Sequence, residues 1–187
     1  MTRRFGSLAS LLSILAACAG ASTDGGAREG ARRAAPPADA SRPLARPGRD
    51  APPFTVRDLD GREVGLAPGR VNLVFFWATW SEPDKKAVPR LQEIFLRHGP
   101  SGLALLGLSV DDEPRDVAAF VRTYGGSYPI AWDQERRVAE LYAVRCEPTY
   151  FVIDRRGVVR FEHCGYREGE AERLEAEVVE LLREPAP

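Results

Sequence analysis

Cysteine is scarce in this chain of 187 residues, with three in all, at positions 18, 146 and 164. No two of them form a Cys-x-x-Cys pair, so a contiguous dithiol motif is excluded. Histidine is scarcer still, at 98 and 163 only. With no G-x-S-x-G elbow around Ser81, serine-hydrolase chemistry lacks its frame. An excess of one charge is missing too, since 26 Lys and Arg stand against 27 Asp and Glu for a formal net charge of -1. No basic stripe interleaved with aromatics occurs, and nucleic acid is excluded as a partner. The apolar opening from Phe5 to Ala17 is too short for a transmembrane helix. A hydrophobic share of 44% and a charged share of 28% give room for one soluble domain.

What is present begins with an export signature. Arg3-Arg4 form a charged n-region, and Phe5 to Ala17 a short h-region ending in small residues, so residues 1–17 read as a signal peptide. Leu15-Ala16-Ala17-Cys18 resembles the bacterial lipobox, which implies acylation of Cys18, attachment to a membrane and a place on the extracytoplasmic, periplasmic side. Ala19 rather than aspartate then points to the outer membrane. Residues 18–50 are rich in Ala, Gly, Arg, Pro and Ser with almost no large apolar side chains, and read as a lipid anchor followed by a disordered tether. A flexible coil of that length spans roughly 30 Å. The folded domain is expected over 51–187.

Within it the stretch Val71 to Lys86, VNLVFFWATWSEPDKK, sets the frame. Val71 to Phe76 reads as a strand buried on both faces. Ser81-Glu82-Pro83-Asp84 supply a hydroxyl, an early proline and first-turn acids, and Ser81-x-x-Asp84 fits a capping box, the hydroxyl accepting from a first-turn N–H and the carboxylate reaching back. Val88, Leu91, Ile94 and Phe95 continue the helix on one face around Pro89. Phe54-Thr55-Val56 and Val64-Gly65-Leu66 flank a turn signal and predict an N-terminal hairpin. Leu103 to Val110 predicts a second buried strand, Asp111-Asp112-Glu113-Pro114 the capped start of a helix to about Arg122, Tyr128 to Ile130 a short strand, and Gln134 to Tyr142 a short helix. His98 falls at a helix end, where it favours the dipole. Thr149 to Ile153 and Val158 to Phe161 surround Asp154-Arg155-Arg156-Gly157 as a hairpin. Glu168 to Arg183 is an amphipathic closing helix.

The tryptophan-rich turn Trp77 to Trp80, Pro89, Glu147-Pro148-Thr149 and Ile153-Asp154 together resemble the TlpA/ResA-like thioredoxin-fold family of the AhpC/TSA-redoxin superfamily, over about Ala51 to Leu182. The resemblance implies an α/β thioredoxin fold, with a mixed central sheet, helices on both faces and an N-terminal hairpin extension. It also places the family's Cys-x-x-Cys at Ser81 and Asp84. A serine there cannot form a mixed disulfide, nor can an aspartate resolve one. The family's buried proton-handling acid falls at Phe75. A peroxiredoxin-like reaction would need a cysteine at the start of the first helix, and none is there. The resemblance makes Pro148 a cis-proline beside the old active-site turn, with Trp80, Glu147, Pro148 and Gly165 lining a groove for extended polypeptide. No cofactor and no metal is implied.

Cys146 and Cys164 flank the last hairpin. If Asp154 faces Gly157 they fall within one residue of being opposite, and one bulge would make them a direct cross-strand pair. They read as a structural staple, as two separate thiols, or as a relocated redox pair. His163 could lower the pKa of Cys164, or join the two cysteines around a metal, but alternation along a strand puts neighbours on opposite faces. Two functions follow. The first is a polypeptide-binding module, redox-inactive at the usual site. The second is a thiol-disulfide oxidoreductase or isomerase with Cys146 and Cys164 as its catalytic residues.

Overall fold

The computed structural model describes residues 45–186. The signal peptide, Cys18 and most of the tether lie outside them. Among the described residues no helix is long and apolar enough to cross a membrane.

Strand β3, Val71–Trp77, is buried at every position. It lies at the centre of a five-stranded sheet ordered β5-β4-β3-β6-β7, where β4 is Leu103–Ser109, β5 Ile130–Trp132, β6 Thr149–Ile153 and β7 Val159–Cys164. β3, β4 and β5 run parallel, and β6 and β7 antiparallel to their neighbours. A strand in this position meets side chains on both faces, which is why the segment contains so few polar residues. Val71, Leu73, Phe75 and Trp77 pack with helix α1 (Glu82–His98), helix α2 (Pro114–Tyr124) and helix α4 (Glu170–Arg183). Val74 and Phe76 face the other way, toward helix α3 (Arg137–Leu141) and the hairpin of β1 (Thr55–Arg57) and β2 (Glu63–Gly65). The expected α/β thioredoxin architecture, with helices on both faces and the hairpin extension, is the one observed.

Local chemistry departs from expectation in several places. The acidic cluster before α2 does not cap it: Glu113 is the N-cap residue and no side chain bonds there. The short helix expected from Gln134 begins as a single 3-10 turn with Glu135 and Arg136 at positive φ. Asp133 supplies the cap instead, its two oxygens accepting the N–H groups of Val138 and Ala139 at 2.9 and 2.8 Å. The hairpin at Asp154 is as expected, its Oδ1 accepting from Arg156 and Val158.

Packed chain also starts before Ala51. Gly48 and Ala51 donate to the carbonyls of Val159 and Gly157 at 2.8 Å each, Val159 donates to Arg49 at 2.9 Å, and Ala45 is buried. Residues 45–50 thus belong to the fold and not to the tether, because β7 is a sheet edge with main-chain groups in need of partners. A chain beginning at residue 51 is expected to unfold at lower urea than one beginning at residue 45, by about 1–3 kcal/mol for the lost edge bonds and the Ala45 contact; equal midpoints would show the segment to be energetically idle.

Candidate functional site

The C-terminal ends of β3 and β4 and the N-terminal end of β6 meet at one edge of the sheet. Since Phe76 pairs with Leu108 on one side and with Thr149 on the other, the turn of residues 78–81 emerges between Asp111 and the Cys146–Pro148 loop. Two carboxylates build this turn. Asp111 accepts the main-chain N–H of Thr79 at 3.0 Å, the Thr79 hydroxyl at 2.6 Å and the Ser109 hydroxyl at 2.7 Å. Asp84 Oδ2 accepts the N–H of Ala78 at 3.0 Å from inside the fold.

The capping box between Ser81 and Asp84 is therefore not formed. Ser81 occupies the N-cap position of α1 with extended backbone, yet its buried hydroxyl caps no helix N–H and lies beside the Asp84 carboxyl without a well-formed hydrogen bond to it. Its own N–H already closes a turn onto the Ala78 carbonyl at 3.2 Å. The Asp84 carboxyl points inward under the turn, with no exposure to solvent, and so accepts the Ala78 N–H rather than the Ser81 N–H.

Burial pushes the Asp84 pKa up to about 7, against the pull of the Ala78 N–H and of the Ser81 hydroxyl beside it, and the nearby carboxylates of Glu147 and Asp111 push in the same direction as burial. Around it lies a group of buried polar atoms without partners: Asp84 Oδ1, the hydroxyls of Ser81, Tyr128 and Tyr150, and the indole N–H of Trp77. Both tyrosines have their pKa raised, first by burial and then by the Asp84 charge. Phe75, at the family's proton-handling position, stacks between Trp77 and Tyr150 with ring centroids 6.1 and 5.3 Å away.

On the other side of the turn Trp80 stands out in solvent at 64% exposure. The Glu147–Pro148 bond is cis, as the resemblance implied. Gly165 donates to the Pro148 carbonyl at 2.7 Å, so these two groove residues are joined. The main-chain N–H and C=O of Glu147 engage in no hydrogen bond among the described residues. Its carboxylate pairs with Arg136 at 2.6 Å.

Cys146 and Cys164 are joined by a disulfide with Cα atoms 5.9 Å apart. It is not the cross-strand ladder pair expected. Thr149, not Cys146, lies opposite Cys164, because Asp154 bonds to Val158 rather than facing Gly157 and the bulge at Val152/Ile153 moves the register one residue further the same way. Cys146 reaches across from the loop before β6. Cys164 is exposed and His163 buried, as strand alternation requires. His163 faces away from the cystine, with Nε2 at 2.7 Å from Glu177 and Nδ1 at 3.4 Å from Glu170. It forms no metal cluster with the cysteines, and none is found among the described residues. His98, at the end of α1, pairs with Glu175 at 2.7 Å. Asp111 was missed as a site residue; an aspartate at the end of a strand next to the central one was the available signal.

This sheet order, with the site turn leading into α1 and the proline loop leading into β6, defines a protein of thioredoxin fold. The chain belongs to the AhpC/TSA family, whose profile matches residues 47–162. Thiol-disulfide oxidoreductase ResA of Bacillus thuringiensis (strain Al Hakam) is 34% identical over 114 residues, or 60% of this chain and 66% of that protein, so the match spans just under two thirds of that relative. ResA of Bacillus thuringiensis subsp. konkukian is 30% identical over 142 residues, covering 75% of this chain and 79% of the relative. A thiol:disulfide interchange protein of the thioredoxin family from Chlorobium tepidum TLS superposes with a TM-score of 0.65 at 25% identity, covering 74% of this chain and 98% of that one. The chain is thus a TlpA/ResA-like member of the thiol-disulfide oxidoreductase family.

Asp84 makes stability depend on pH in a defined direction. Its pKa is near 3.8 when unfolded and about 7 when folded. The folded chain keeps a proton that the unfolded chain releases, so this contribution is complete below the unfolded value and is lost as pH rises to about 7. Asp84→Asn is expected to remove that decline and to be more stable than the wild type at pH 8 by a few kcal/mol, with the two converging near pH 4. Parallel stability curves in urea titrations across this range would refute the assignment.

Proposed function

We propose that this protein is a polypeptide-binding module, redox-inactive at the family's usual site, and held by lipidated Cys18 on the extracytoplasmic side of a bacterial membrane, the outer one by the residue at 19. The observation that carries the reading is the pairing of lost chemistry with a kept surface. At positions 81 and 84 stand a buried hydroxyl and a buried carboxyl, neither of which can exchange disulfides. Beside them Trp80 is exposed, and Glu147 offers an unengaged N–H and C=O. An extended chain that bonds to Glu147 through its own backbone could rest a side chain on the Trp80 indole. Main-chain pairing gives affinity without sequence choice, and an exposed aromatic is the type of residue that dominates such contacts. The Cys146–Cys164 bond suits an oxidising compartment.

The test is binding of a permanently unfolded, thiol-blocked polypeptide, read by calorimetry. The wild type is expected to bind it, and Trp80→Ala to weaken binding at least about tenfold, as for a hot-spot aromatic. No binding, or binding indifferent to Trp80, would contradict the proposal. A companion variant carrying Ser81→Cys and Asp84→Cys is expected to gain disulfide-exchange activity at the helix start, where the dipole favours a thiolate; failure to gain it would show that more than these two positions silences the site.

A further inference from the structure

The Cys146–Cys164 disulfide stands at the same end of the sheet as Trp80 and Glu147, and the pairing of β6 with β7 does not run through it. β6 and β7 are already joined by a ladder from Thr149–Cys164 to Ile153–Val159 and by the Asp154 turn. The cross-link reaches outside that ladder, from the loop before β6 to the end of β7. Its two ends also differ. Cys164 is exposed at the end of β7, whereas Cys146 is half-buried beside Thr149, itself buried, whose Oγ1 lies 3.2 Å from Cys146 Sγ. That hydroxyl now donates to the Cys146 carbonyl at 2.6 Å. A rotation of the same O–H would aim it at the sulfur.

We propose that this cystine is an acceptor for thiol-disulfide exchange with a dithiol polypeptide held in the groove, a step that rests on the binding reading above. A substrate thiolate attacks Cys164 Sγ, the sulfur that solvent reaches. The Sγ–Sγ bond breaks and its electron pair leaves on Cys146 Sγ, where the Thr149 hydroxyl donates to the new thiolate. A bond from a hydroxyl to an anion is stronger than one to a neutral sulfur, so it favours the leaving group. The second substrate thiol gives up its proton to water and attacks the sulfur joined to Cys164, which departs as thiolate. The substrate becomes a disulfide, the protein a pair of thiols once both take up protons, and two electrons have moved from polypeptide to protein. A disulfide-bearing oxidant returns the pair to its starting state. Exposed disulfides are the labile ones as a class, and buried staples are not.

The experiment uses the full chain with its disulfide closed and a reduced synthetic peptide carrying two cysteines, quenched in acid and read by mass. One equivalent of peptide disulfide per protein, with the transient adduct mapped to Cys164, is the expected result. Thr149→Val should slow the reaction about tenfold and Thr149→Ser should restore it. A cystine that stays closed in excess reduced peptide, an adduct on Cys146, or a Thr149→Val rate equal to that of wild type would each overturn the proposal. Binding of the thiol-blocked polypeptide separates the two readings. If it binds and no exchange occurs, this inference alone falls; if exchange occurs and it does not bind, the groove reading falls and with it the claim that the exchanging peptide is held there.

Discussion

One buried carboxyl holds the functional end of this molecule together. Asp84 projects from the first turn of α1 into a space closed to solvent and accepts the N–H of Ala78, which ties the helix to the strand that precedes it. From the far side Asp111 accepts Thr79 through both its backbone and its hydroxyl. The turn between β3 and α1 is thus clasped twice by carboxylates, and Trp80 is presented outward as a consequence. A thiol at position 84 would leave the Ala78 N–H with a much weaker acceptor. The residue that stands where the family resemblance places its second cysteine is also the one that organises the turn.

Charge explains why that arrangement bears on function. An aspartate without solvent, with the carboxylates of Glu147 and Asp111 nearby, holds its proton up to about pH 7. A protonated Asp84 still accepts from Ala78, so the turn keeps its geometry whether or not the group is charged. The surface above it presents different atoms: the Glu147 main chain, the Pro148 carbonyl that accepts from Gly165, and the exposed indole. The two layers share an edge of the sheet and divide the work, one fixing shape and the other facing solvent.

Much of this could be read from residues alone. The apolar run Val71 to Phe76, the helix around Pro89 and the hairpin at Asp154 are where local pattern puts them, because periodicity and turn chemistry are local signals. What escaped depended on contacts across the chain. Ser81-x-x-Asp84 has the spacing of a capping box, but the direction in which Asp84 points is set by packing of α1 on the sheet. Asp111 looked like a helix cap until strand pairing brought Thr79 beside it. A staple was one reading of the two cysteines, but its register was misplaced, since the turn pairs Asp154 with Val158 and the bulge at Val152/Ile153 adds a further shift that puts Thr149 opposite Cys164. Residues 45–50 carry no periodicity at all, and only the open edge of β7 gives them a place.

The central claim is that extended polypeptide is held at Glu147 and Trp80, over a helix start that has lost its thiols. Amide and indole NMR shifts of the labelled protein, followed as a thiol-blocked unfolded peptide is added, address it most directly. The account predicts that the largest changes fall on the Glu147 amide, the Trp80 indole and Gly165, with the Ala78 amide under the turn little moved. Shifts concentrated elsewhere on the surface, with Glu147 and Trp80 unchanged, would contradict it.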